Sequence, residues 1–196
     1  SASIYPPHLP YNFNYLSGIF TITPKLVPVI NWNAPADIVY GTHLSDAQLN
    51  AVALVDNEII EGTFTYSPDF DAVLNAGDAK VLNVTFTPTD LVNYVSVTKA
   101  TTVNVTKATL TVTADDKTKM YGEFNPELTF SYSGWVNGEE TIDEAPSIST
   151  VIDDLSNAGT YADAITLAGG LDNNYIFNFV AGDFEIEKAS LDVIAH

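Results

Sequence analysis

Paired carboxylates are the commonest chemistry-bearing groups in this sequence. Asp69/Asp71, Asp115-Asp116, Glu139-Glu140, Asp143-Glu144 and Asp153-Asp154 each stand within two positions of one another. Two carboxylates perform acid–base work only when they share a pocket at a defined separation; on a turn or strand face they are otherwise solvated charge. Hard cations also use such oxygens. The EF-hand and nonapeptide calcium patterns are absent. That leaves Asp37 and Asp115-Asp116 as calcium candidates, expected at junctions where an ion would stiffen the chain, and no other cofactor is expected. Trp32 and Trp135 are the only tryptophans. An indole beside amides and acids can stack on a sugar face. Trp135 with Asn137, Glu139 and Glu140 is the best such ligand-binding group, and packing in a core or between repeats is the competing role. The imidazoles His8, His43 and His196 lack metal-ligand spacing, and no Gly-x-Ser-x-Gly elbow accompanies them. No catalytic residue is assigned, and the chain reads as a non-enzyme.

Composition narrows the partners. Of 196 residues, 25 are acidic and 7 basic, giving a net charge of −18. All the basic residues are Lys. A surface this acidic does not bind a phosphate backbone by releasing counterions, and the Arg forks that read bases are missing, so nucleic acid is excluded. Cysteine is absent, which removes disulfides and thiolate metal sites. No apolar run reaches the roughly 18 residues of a membrane helix, so no membrane insertion by this segment is expected. The 46% hydrophobic and 11% aromatic content is far above that of a disordered acidic tail.

These residues must be positioned by something, and the sequence repeats. Tyr40-Gly41 returns as Tyr121-Gly122, Asn93-Tyr94 as Asn174-Tyr175, and Lys107-Ala108-Thr109-Leu110 as Lys188-Ala189-Ser190-Leu191, each 81 residues later. Asn75-Ala76-Gly77 returns as Asn157-Ala158-Gly159 after 82. Tyr11–Ile22 also aligns with Tyr175–Ile186 at an offset of 164. The expected organisation is therefore 1–25 as the closing hairpin of a preceding repeat, 26–106 and 107–187 as two whole repeats, and 188–196 as the first strand of a following one. Residues 11–23 and 189–195 are expected to seek strand partners, because unpaired edges do.

Within each repeat the hydrophobic pattern alternates with period two, as in Leu82–Thr87, Leu110–Thr113 and Leu128–Tyr132. Pro and Gly punctuate it at strand-and-turn spacing. The expected fold class is all-β, as tandem small immunoglobulin-like β-sandwich repeats. A β-grasp-like α+β repeat is the alternative, with Ser45–Leu54 and Gly138–Ala145 as its best helical stretches. Asp90…Tyr94 and Asp172…Tyr175 suggest tyrosine corners, with each phenol bonding back to its own turn.

One family is similar to this ordered set of motifs. Tyr121-Gly122, Asn125-Pro126-Glu127-Leu128, Tyr132–Gly138, Ala158-Gly159-Thr160-Tyr161, Asn174-Tyr175 and Gly182–Ile186 resemble the MBG domain of the YGX type. Trp32-Asn33, Ala36–Thr42, Gly62–Pro68, Asn75-Ala76-Gly77 and Val84–Asp90 resemble the companion Ig-like repeat of the same proteins. The resemblance implies tandem repeats of a large bacterial surface protein of adhesin-like kind, located outside the cell. It implies a non-catalytic structural and adhesion role as a semi-rigid spacer, with neighbouring repeats as partners. The alternative it leaves open is a module that binds a glycan or a host surface protein through exposed aromatic and polar loop residues.

Overall fold

The computed structural model describes residues 24–194. The expected hairpin of 11–23, His8 and His196 lie outside the described residues, as does most of the 1–25 segment. All fourteen described elements are strands. In the first half they are β1 (Val29–Asn31), β2 (Ile38–Val39), β3 (Val52–Val55), β4 (Glu58–Ile59), β5 (Gly62–Ser67), β6 (Gly77–Pro88) and β7 (Val97–Thr106). In the second half they are β8 (Ala108–Ala114), β9 (Lys117–Met120), β10 (Phe130–Ser133), β11 (Ser147–Thr150), β12 (Gly159–Ala168), β13 (Tyr175–Val180) and β14 (Gly182–Glu187).

Each half is a two-sheet sandwich. The first combines β1-β3-β4 with β2-β7-β6-β5, and the second β10-β8-β13 with β11-β12-β14-β9. Alternation places the cores. Leu82, Val84 and Phe86 of β6 face Val103 and Val105 of β7 inside the first unit. Ile165, Phe184 and Ile186 form the second core with Val112 and Ala114. Trp32 is core, its indole N–H donating to the Gln48 carbonyl at 2.9 Å.

The α+β alternative is not what forms: no helix occurs among the described residues. Over Ser45–Leu54 the Ser45 carbonyl accepts from Gln48 and Leu49, closing a single turn before β3 begins. In Gly138–Ala145 the start is set by Asn137 and Gly138, at φ +54° and +72°, a left-handed pair that a helix does not accept.

The first and last strands of each unit run side by side. Tyr175–Val180 pairs in parallel with Ala108–Thr113, and Phe184–Glu187 pairs in parallel with Lys117–Met120 in the same register. This is one ladder that passes from one sheet to the other at its middle. Along it, a rise of about 3.3 Å per residue gives each unit a length of roughly 40 Å. The first unit repeats the design, from the Leu26–Tyr94 bridge to the Ile38–Val105 and Val39–Thr106 pairs. Each unit is therefore entered at one pole and left at the other. Residues 188–194, expected as a strand, make no strand in this structure. β8, whose sequence they repeat, is held between β10 and β13, which both follow it in the chain. Residues 188–194 pair with no strand among the described residues.

Candidate functional site at the unit junction

The pole where the first unit meets the second gathers most of the polar and aromatic candidates. Tyr40 comes from the end of β2 and is buried, at 6% exposure. Its ring meets Tyr175 of the second unit edge-on, centroids 5.6 Å apart. Trp135 packs edge-on against the same Tyr175 ring at 5.5 Å and tilts against Tyr132 at 5.4 Å. Such aromatic pairs contribute about 0.5–1.5 kcal/mol each beyond the area they bury.

Glu139 joins the two halves. One carboxylate oxygen accepts from the Tyr40 hydroxyl and the other from the Tyr175 hydroxyl at 2.7 Å. The Tyr175 oxygen also accepts the Val136 N–H at 3.1 Å. Burial, then the Glu139 carboxylate that holds the phenol proton, push the Tyr40 pKa up to about 12. Burial also raises the Tyr175 phenol, and Glu139 adds to the rise, although the Val136 N–H opposes it.

The backbone is tied beside this cluster. Asn174 accepts the Ala76 N–H on its side-chain oxygen at 3.0 Å, and its carbonyl accepts the Ala108 N–H at 2.9 Å. Lys107 donates to the Asp172 carbonyl at 2.6 Å. Buried Asp172 fixes that turn by accepting the N–H groups of Asn174 and Tyr175. The Asp-led turns expected at tyrosine corners are thus present, but the Tyr175 phenol reaches the 136–139 segment rather than its own turn. Gly41 closes the contact. Its φ is +93°, and a Cβ there would lie 2.8 Å from the Val136 side chain. Only glycine suits both the backbone and the spacing.

Among the ligand candidates, Trp135 and Glu139 are in this junction. Asn137 stands at its rim, where its side chain adds to the raised pKa of His43 after the larger effect of the Asp71 carbonyl. Glu140 is exposed. The calcium candidates are not gathered. Asp115 accepts from the Thr129 hydroxyl, Asp116 from the Asp183 N–H at 2.7 Å, and Asp37 from the Asn104 amide at 3.0 Å. Asp115-Asp116 lie midway along the ladder of the second unit, not at a junction, because the junction is built from the ends of that ladder. Among the described residues no three acidic, histidine or cysteine side chains converge.

In the sequence Tyr40, Gly41, Asn75-Ala76 and Lys107 stand out as landmarks of the repeat, and Asn174-Tyr175 both as a landmark and at an expected tyrosine corner. Their recurrence in one order is the signal that marks them.

Comparison with known proteins agrees with the second half of the chain. Residues 110–185 match the family described as MBG domain (YGX type), so this unit is an MBG domain, a structural repeat domain rather than a member of a known enzyme family. No curated protein and no solved structure matches the chain.

Proposed function

We propose that this chain is a non-catalytic section of a bacterial cell-surface protein, acting as a semi-rigid spacer in an extended, adhesin-like array outside the cell. The observation that carries the reading is the Glu139 carboxylate shared by Tyr40 of one unit and Tyr175 of the next. Two units joined by a bare linker would have no reason to place a carboxylate, three aromatic rings and a size-restricted glycine in register. Across the joint the Tyr40 hydroxyl donates to Glu139 and the Ala76 N–H to Asn174, so bending it strands part-buried donors and acceptors, which is costly. Stiffness passed between nearest neighbours is how repeat arrays gain reach.

Small-angle scattering of the chain tests this. Two ladders end to end predict an extended two-unit body of roughly 80–90 Å at about 3.3 Å per residue. Glu139→Ala with Gly41→Ala should broaden the distribution of end-to-end distances. A compact or freely hinged wild-type chain would overturn the reading.

A further inference from the structure

The exit pole of the second unit repeats the socket that the first unit offers at the junction. Tyr121, Gly122, Asn157, Ala158, Lys188 and Ala189 stand 81 or 82 residues after Tyr40, Gly41, Asn75, Ala76, Lys107 and Ala108. The geometry repeats with the sequence. The Tyr40 N–H donates to the Thr106 carbonyl at 2.8 Å, and the Tyr121 N–H donates to the Glu187 carbonyl at 2.9 Å. Gly122 has φ +87°, against +93° at Gly41.

What differs is the filling. Tyr40 is 6% exposed and Tyr121 is 47% exposed. A Cβ on Gly41 would strike Val136, whereas one on Gly122 meets nothing within 4 Å among the described residues. Ala108 is buried and Ala189 is exposed. Tyr121, Ala158, Lys188 and Ala189 instead line an open cavity.

The lysines show the same vacancy. Lys25 donates to the Leu91 carbonyl at 2.5 Å and Lys107 to the Asp172 carbonyl at 2.6 Å, in each case an acceptor 65 or 66 residues onward. Lys188, in the same place, has no hydrogen-bond acceptor among the described residues. The next residues, Ala189-Ser190-Leu191, restate the opening of β8, and Leu191 and Val193 are each 86% exposed.

We infer that this pole is a docking site for a further unit of the same type as the second one, joined through Lys188 and seated by its own Trp-Val-Asn-Gly-Glu turn and Asn-Tyr strand start. Its valine fills the space over Gly122, and its carboxylate accepts from the Tyr121 hydroxyl. Its asparagine takes the Ala158 N–H, and the carbonyl of its Asp turn accepts from Lys188. Leu191 and Val193 enter its core as Leu110 and Val112 enter that of the second unit. The inference rests on the spacer reading and adds the surface, its partner and the contacts.

The test lengthens the whole chain by inserting a second copy of residues 107–187 directly after Glu187, so that the copied lysine takes the place of Lys188. Scattering should show a third unit held as firmly as the second. Tyr121→Ala should loosen that unit and lower its melting temperature by about 4–8 °C, the size of shift that a modest lost contact gives a domain of this length. The same substitution in the 196-residue chain should leave melting nearly unchanged, because Tyr121 is 47% exposed there and belongs to neither core. A third unit that swings freely, or one indifferent to Tyr121→Ala, would overturn the docking site while the first junction stayed rigid. A flexible first junction would overturn the spacer reading instead.

Discussion

At the scale of single residues, the junction depends on one carboxyl group between two phenols. Glu139→Ala removes the acceptor of both phenols, and leaving these polar groups unpaired should cost about 1–3 kcal/mol. The Tyr40 titration should then fall from about 12 part of the way toward 10, not all of it, since burial is the larger cause and persists. Tyrosinate absorbance against pH measures this directly. The sign of the linkage follows. Folding holds the Tyr40 proton more tightly than the unfolded chain does, so this stabilisation is complete below about pH 10. It is lost as the pH rises through about 12. Gly41→Ala acts through shape. Its Cβ meets Val136 and its φ is left-handed, a strain of order 1–3 kcal/mol. Val136 packs against the buried cluster that includes Tyr40, so the loss should be felt in the joint and in the first unit together.

At the scale of elements, alternation carries most of the architecture. Phe184 in β14 and Phe86 in β6 are fully buried. Phe184→Ala should cost the second unit about 3–5 kcal/mol by leaving a cavity, read as a lower denaturant midpoint for that unit. The strands with clean period two, such as Leu82–Phe86 and Leu110–Ala114, were legible in the sequence for the same reason: one face is buried and the other wet. Ser45–Leu54 and Gly138–Ala145, the best helical stretches of the alternative fold, are short and bounded by turn residues, where local propensity is weak and tertiary pairing decides. The phenol partner of Tyr175 was also hidden, because it lies 36 residues away on a segment whose path depends on Gly134, Asn137 and Gly138 all taking positive φ. The parallel pairing of first and last strands was likewise beyond local pattern, since parallel partners leave no hairpin signature.

At the scale of the whole molecule, the two units share a core. Ala108, Leu110 and Tyr175 of the second belong to the buried cluster of the first, and Trp135 and Val136 pack against it. Unfolding of one unit should therefore destabilise the other. Calorimetry is expected to show a single transition for the wild-type chain and two separated transitions for the Gly41→Ala/Glu139→Ala double variant; two independent transitions in the wild type would contradict the coupling. The period of 81 residues made the existence of two units readable from sequence, while the way they dock was not, because the docking residues lie far apart in the chain. Their parallel ladder has a mechanical consequence. A pull on the two ends of the chain grips each unit at the start of its first strand and at the end of its last. Those strands are neighbours in one register, so the load slides one past the other and falls on all their hydrogen bonds together. Peeling from one end would break the same bonds one at a time. Units built this way resist tension in the direction in which a tethered chain is drawn.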